Sequence, residues 1–417
     1  MASSNQARTL VREVIKQNLY KSLGYFSKQN PIMSPSAPIN FPAISNFNAW
    51  QSLQNELFHD RSDKGQQFLT QCELFKPYYS QLLADWSVKR MRARGHSKLK
   101  VLEVGGGTGA HALHFLNHMQ DEYPEIYRTM TYTLCEQTDT LCQAQTQLLS
   151  KDHAKVCRFY HQDFLTWNQF NQDPTVLFLL EVLDNLPHDK VSFENKFALQ
   201  QVSINALQQE VLDPIQDKWI QEAVHYFIAQ PQQQQHKPTR KVLGEDWYHQ
   251  FLKFIALVRR RRCEKKATSE FVPSSAMKLM HVLHQYFPQH DVFMSDFAYL
   301  PFPNVLASKH NLAMVGSVFQ GRNVPIVSGS DDQGIRQDFA SYLTPNADVF
   351  FQTNFPLLAN AYEGITVTGE AQVFTHRAFM ESEITSTMRM KTSTRSGYNP
   401  MMEDFRNISV LVGCNRG

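Results

Sequence analysis

KVLEVGGGTGAHALHFL, from Lys100 to Leu116, reads as a buried strand, a glycine-rich turn and the opening turns of a helix. Val101, Leu102 and Val104 suit a strand covered on both faces. Gly105, Gly106, Gly107 and Gly109 let the backbone turn sharply while a ligand comes close. A helix starting there directs its free N–H groups at the same ligand. Two nucleotide-like ligand classes are bound by this device. Gly105, Gly107 and Ala110 fit the dinucleotide pattern G-x-G-x-x-G/A, while Glu103, Gly105, Gly107 and Gly109 fit S-adenosylmethionine (SAM) sites, which place an acid two residues before the first glycine. Glu103 favours SAM: a pyrophosphate gains nothing from a carboxylate at this strand end, whereas the cationic amino-acid end of SAM needs acceptors.

Outward from this turn, β/α alternation sets in. Tyr132 to Glu136, Val156 to Tyr160 and Val176 to Glu181 read as the next three strands, and helices separate the first two pairs. This order implies a parallel, doubly wound sheet. Thr9 to Leu19 is an amphipathic helix, and the Pro- and Ser-rich stretch after it reads as a cover over a site. Phe68 to Met91 has helical spacing. Asp189 to Glu270 reads as mainly helical, with a Gln-rich surface tract from Ala229 to Pro238. The sheet resumes with a helix from Ser275 to Tyr286 and a strand from Asp291 to Asp296. A helix between Asn354 and Tyr362 follows, then strands Gln372 to Thr375 and Ile408 to Val412, the last fitting an antiparallel closing strand. The organisation is therefore residues 1–95 as helical cover, 96–188 as the ligand-binding half, 189–270 as helical insertion and 271–417 as the rest of the sheet.

Apolar residues at 42% and charged residues at 19% describe a globular chain with a sizeable core. A formal charge of +2 is too small to argue for nucleic acid, and the basic run from Arg259 to Lys266 reads as a solvated helix end. The longest apolar run, VLFLLEVL from Val176, is broken by Glu181 and too short to span a membrane. Six cysteines without a C-x-x-C pair favour free thiols in a reducing compartment. Arg8 and Arg12 without an acid in residues 1–12 are compatible with a short transit sequence.

Four further acids stand at strand ends. Glu136 is placed to hold ribose hydroxyls, and Asp163 to accept from the adenine amino group with Phe164 covering the ring. Glu181 and Asp184, in LLEVLDNLPH, follow the fourth strand next to the topological switch point. A carboxylate leaving an apolar strand is costly unpaired. Either a cation of the chain pairs with Glu181, or a cationic substrate does, and guanidinium suits it because it is planar, permanently charged and bidentate. His111, His114 and His118 share a helix face, but no Cys or paired acid completes a metal set, so no metal is expected there.

With these residues placed, the chain resembles the MidA family of SAM-dependent methyltransferases. The resemblance runs through TLVREVIKQNLYKSLGYFS, FKPYYSQLLADW, LEVGGGTG, EVLDNLPH, FVPSSAMKLMHVLHQYFP, MSDFAYLP, DVFFQTNFPLL and GYNPMMEDF. That family includes the mitochondrial protein-arginine methyltransferase that assists assembly of respiratory complex I. The resemblance implies a class I SAM-methyltransferase fold, SAM as cofactor and a protein substrate, such as a core subunit of complex I, in mitochondria. It departs at Gly106 and Thr108, where mitochondrial members have proline and arginine. It departs again at MSPSAPINF, where they have an acidic Ser-Pro-Glu element, and at Leu180, where a polar residue is usual. The alternatives are a SAM-binding assembly chaperone without catalysis, a methyltransferase with another acceptor, and a nicotinamide-dependent dehydrogenase.

Overall fold

The structure is a computed structural model describing residues 8–21, 24–27, 32–62, 68–192, 199–229, 269–299, 323–330, 336–338 and 341–416. Seven strands form the central sheet: β1 Lys100–Val104, β2 Thr131–Glu136, β3 Cys157–His161, β4 Thr175–Leu180, β5 Gln289–Phe297, β6 Glu370–Thr375 and β7 Ile408–Arg416. Their spatial order is β6-β7-β5-β4-β1-β2-β3. β1 to β5 run parallel, while β7 runs antiparallel to both β5 and β6. The chain therefore reverses its direction of travel between β1 and β4, which opens a crevice at their carboxyl ends.

Strand periodicity sorts the apolar residues into two layers. Along β4, Val176 and Phe178 enter one core with Val101, Tyr132 and Phe293. Leu177 and Leu179 enter the other with Leu102, Val104, Val292 and Met294. The first core is closed by the helices Tyr78–Ala93, through Leu82, Leu83 and Trp86, and Ala110–Glu122, through Ala112, Phe115 and Leu116. The second is closed by Ser274–Tyr286, through Met277, Met280 and Leu283, and Phe355–Thr366, through Leu358, Ala361 and Tyr362. Each of these helices overlaps its expected stretch, with Phe355–Thr366 running four residues beyond the expected end at Tyr362 and Tyr78–Ala93 two beyond Met91.

The insertion after β4 departs from expectation. Its described part is mostly extended: Asp189–Ser192, Gln200–Ile204 and Glu210–Pro214 pair antiparallel, joined by Ser269–Val272 and by Thr9–Leu10 from the N-terminus. Only Lys218–Val224, with the single π-type turn after it, is helical there. The Leu, Ala and Gln content of the segment favours helix, but strand pairing that buries Val191, Val202 and Ile204 overrides propensity. Asn205 closes the hairpin by accepting from the N–H groups of Leu207 and Gln209. Residues 230–238 of the Gln-rich tract, the basic run and Cys263 lie outside the described residues.

The N-terminal helix Val11–Tyr20 buries Val11, Ile15 and Leu19 and lies over the crevice. Arg12 fixes it by bonding the carboxylates of Asp189 at 2.6 Å and Asp217 at 2.6 Å. Ile32–Met33 pairs parallel with Phe68–Leu69, completing a cover that is only partly helical. Among the described residues no helix is long and apolar enough to cross a membrane.

Candidate active site

The crevice at the switch point is a cleft of about 880 Å3 including its mouth. One wall is the glycine turn. Gly105 and Gly107 take φ of +68° and +53°, and Gly109, at +85°, leads into the helix Ala110–Glu122. A Cβ on Gly107 would stand 3.0 Å from Ile32 Cδ1, so the glycine keeps the cradle open beneath the cover. Gly105, Gly107, Glu136, Asp163, Phe164 and Glu181 line the cleft. Gly109, Glu103 and Asp184 are expected site residues that do not.

Glu103 shares a strand face with Val101 and so turns away from the crevice, under the turn, where a Cβ on Gly106 would lie 3.3 Å from its Cδ. It is 3% exposed and accepts from the Tyr132 hydroxyl at 2.8 Å. Burial pushes its carboxyl up to about 7, against the Tyr132 bond. It braces the turn from behind rather than lining the place expected for the amino-acid end of SAM.

Glu136 ends β2 and is 4% exposed. Its two oxygens accept from the Thr138 N–H at 2.9 Å and Gln145 Nε2 at 3.4 Å, and burial raises its carboxyl. This is a fixed acceptor at the place where a ribose diol would need one. Asp163 faces the same cleft, but one oxygen caps the short turn at Leu165 N–H and the other pairs with Lys16 at 2.6 Å. Phe164 packs in tilted contact with Trp167 and Phe287 at the inner wall. Cys135, Leu141 and Leu279 complete an apolar slot. Gln162 Nε2 is buried there without a protein partner, an unsatisfied donor suited to a purine nitrogen. Sequence reading passed over Gln162 although it adjoins Asp163.

On the other side, Glu181 leaves β4 with φ of +54°, its N–H donating to Ser295 O at 2.8 Å and its carboxylate accepting from Gln71 N–H at 2.8 Å. Burial pushes this carboxyl up to about 8, against the Gln71 bond, and Asp296 adds to the rise. Among the described residues no Lys or Arg pairs with Glu181, Asp184 or Asp296, so the internal ion pair weighed for Glu181 is not formed there. Asp184 is 6% exposed and sits behind the turn. Its N–H donates to Asp296 Oδ2 at 3.0 Å and its Oδ1 has no protein partner. Burial, then the neighbouring charges of Asp296, Asp348 and Glu181, raise it well above the usual carboxylate range. Asp296, at the end of β5, also accepts from Phe297 N–H at 2.7 Å and is the residue that organises this turn. It was missed because an acid at the end of a resumed strand carries no local motif.

The three histidines are engaged separately. His111 meets Ser80 at 3.0 Å, His118 meets Asp85 at 2.7 Å, and His114 is half-buried near Lys76.

Residues 82–371 match the family model described as "Putative S-adenosyl-L-methionine-dependent methyltransferase". The chain belongs to the MidA (COG1565) family of SAM-dependent methyltransferases. A COG1565 superfamily member from Burkholderia thailandensis, solved bound to S-adenosyl-homocysteine, superposes with a TM-score of 0.53 at 13% identity, covering 98% of this chain and 88% of that one. A second structure of a COG1565 protein from the same organism gives 0.52 at 12% identity, with the same coverage. At these identities the likeness shows the shared fold. No curated protein matches the chain significantly. As a MidA methyltransferase the chain uses SAM, and its residues fit that group: open glycines on one wall, a buried ribose-height acid in Glu136 and an apolar slot ending in the unpaired Gln162 amide. This excludes the dehydrogenase alternative.

Proposed function

We propose that this methyltransferase acts on a guanidinium nitrogen of an arginine in a protein partner. The observation that carries the reading is Glu181, a carboxylate lining the cofactor cleft at the switch point without a cation of the described chain against it. When bound, SAM would supply an electrophilic methyl group whose bond to the sulfonium sulfur breaks as the new N–C bond forms, leaving neutral S-adenosyl-homocysteine. Glu181 in its carboxylate form orients the planar cation beside that position and accepts the proton released as the nitrogen gains its methyl group. The apolar wall and the N-terminal helix keep water away. The partner is a core subunit of respiratory complex I, and the place of action the mitochondrion. Both follow from the sequence resemblance to the mitochondrial arm of the family.

The test is transfer of radiolabel from SAM into mitochondrial lysate by the parent and by Glu181→Gln, with mass spectrometry of the labelled protein. Methylarginine formed by the parent and lost in a variant that keeps its melting temperature and SAM affinity is expected. Label on another residue type would sink the arginine assignment, and SAM binding without any label would favour an assembly chaperone.

A further inference from the structure

The turn after β4 divides its residues between the cleft and the interior. Glu181, Val182, Asn185 and Leu186 line the cleft, while Leu183 joins the second core and Asp184 is buried. Glu181 and Asn185 are the polar residues of the turn on the cleft side, and both are part-exposed. Asn185 Nδ2 donates to Asp348 Oδ1 at 2.9 Å and to Val349 O at 3.3 Å. A main-chain carbonyl can only accept, so these partners fix which end of the amide is nitrogen. The nitrogen is thus committed to the strand Asp348–Phe350, and the oxygen is what the side chain has left to offer the cleft it lines. Among the described residues no donor meets Asn185 Oδ1. The side chain cannot turn over without losing both bonds. Its backbone is held as well: Asn185 O accepts from the Tyr20 hydroxyl at 3.3 Å, and Phe351 N–H donates to Asp184 O at 2.8 Å. The turn that carries Glu181 therefore carries a second fixed acceptor.

We propose that Asn185 is a specificity-determining residue for the methyl acceptor, its Oδ1 accepting an N–H of the group that Glu181 holds. A carboxylate and an amide oxygen are both acceptors, so together they select a guest with several donors. A guanidinium carries five N–H donors in one plane; Glu181 takes at most two of them, and Asn185 takes another. A hydroxyl or thiol has a single proton, which goes to Glu181 and leaves Asn185 Oδ1 unpaired, the kind of cost by which a polar site rejects an analogue lacking a donor. Glu136 and Gln162, at the ends of β2 and β3, are placed for the cofactor's ribose and purine, which leaves the acceptor as the guest of the β4 turn. This deepens the proposed function and rests on Glu181 facing the acceptor.

The probe is sinefungin, the S-adenosyl-homocysteine analogue with an amine-bearing carbon in place of sulfur, which puts an ammonium group where the transferred methyl and acceptor meet. Calorimetry with sinefungin and with S-adenosyl-homocysteine is run on the parent, Asn185→Leu and Asn185→Ser, with a melting temperature recorded for each. The parent is expected to prefer sinefungin. Asn185→Leu, which keeps the size of the side chain without an acceptor, is expected to lose about tenfold or more of sinefungin affinity while its affinity for S-adenosyl-homocysteine stays within twofold. Asn185→Ser, whose oxygen is too short to reach the same place, is expected to lose the same preference, and serves alone if Asn185→Leu does not fold. Equal losses for both ligands would make Asn185 a cofactor contact and overturn the proposal. An unchanged ratio in a folded variant would reduce Asn185 to a brace for Asp348 and overturn it too. If the ratio falls but the parent forms no methylarginine in mitochondrial lysate, Asn185 keeps its role and the arginine reading fails. If methylarginine forms and the ratio is unchanged, the arginine reading stands and this inference fails.

Discussion

A carboxyl held at about 8 is mostly protonated at pH 6 and mostly ionised above pH 9, and only the ionised form of Glu181 can hold a cation and take its proton. The kcat/KM for the acceptor is therefore expected to rise with pH as Glu181 ionises, with the sulfonium of bound SAM drawing the midpoint below the empty-cleft value of about 8. In Glu181→Gln we expect kcat to fall by about 100-fold or more and the rise to disappear. Stability runs the other way. The folded value lies above the ordinary 4.5, so the native state binds the proton more tightly than the unfolded chain. This contribution is fully present below pH 4.5 and is lost as pH rises to about 8, and Glu103, held at about 7, adds a loss of the same sign. The parent's melting temperature should decline across this window more steeply than that of Glu181→Gln; parallel curves in the two proteins would contradict it. At this scale the sequence reveals acids that follow strands, since position alone aims Glu136, Asp163 and Glu181 at the crevice. It does not reveal Gln71 or Asp296, because their roles come from neighbours over a hundred residues away. Glu103 does not line the cleft, because strand parity, rather than distance from the glycines, decides its face.

The N-terminal helix is attached by polar contacts at four levels: Arg12 to Asp189 and Asp217, Lys16 to Asp163, Asn18 Nδ2 to Tyr342 O at 3.1 Å, and the Tyr20 hydroxyl to Asn185 O at 3.3 Å. The first is the anchor, since Asp189 is fully buried and would keep only Ser274 and the Arg12 N–H as partners. Arg12→Ala is expected to destabilise the protein by about 3 kcal/mol, the scale of leaving a buried charge uncompensated. Denaturant unfolding checks this, and a loss below about 1 kcal/mol would show the anchor to be replaceable. The helix itself was legible from Val11, Ile15 and Leu19 at helical spacing. The strands after β4 were not, because their polar residues are good helix formers and their partners, Thr9–Leu10 and Ser269–Val272, are remote in sequence.

For the whole molecule, the order β6-β7-β5-β4-β1-β2-β3 puts the cofactor cleft at the switch point against the second core, through Val104, Cys135, Phe164, Leu179 and Leu279, so a ligand there braces that core against the N-terminal helix. S-adenosyl-homocysteine binds the native state alone and is expected to stabilise it by about 2.7 kcal/mol at a concentration 100 times its dissociation constant. Thermal unfolding with and without it measures this, with NADH as a ligand that should leave the transition unmoved. The parallel core was readable because β4 carries an uninterrupted apolar run and β1 one broken only by Glu103. The placing of β7 rested on its preceding helix and its antiparallel fit. All nine residues of β7 pair with β5, and six of them also with β6. β7 is also the last of the seven strands to leave the ribosome, roughly 15 to 60 s after β1 at ordinary synthesis rates. From the completion of β5 to that of β7, roughly 6 to 24 s at the same rates, β5 presents an open hydrogen-bonding edge, and β6 once made has no mate, a template for pairing with other nascent chains. The half-sheet bounding the cofactor crevice is synthesised early, yet the protein must be shielded until its final strand arrives to seal the gap.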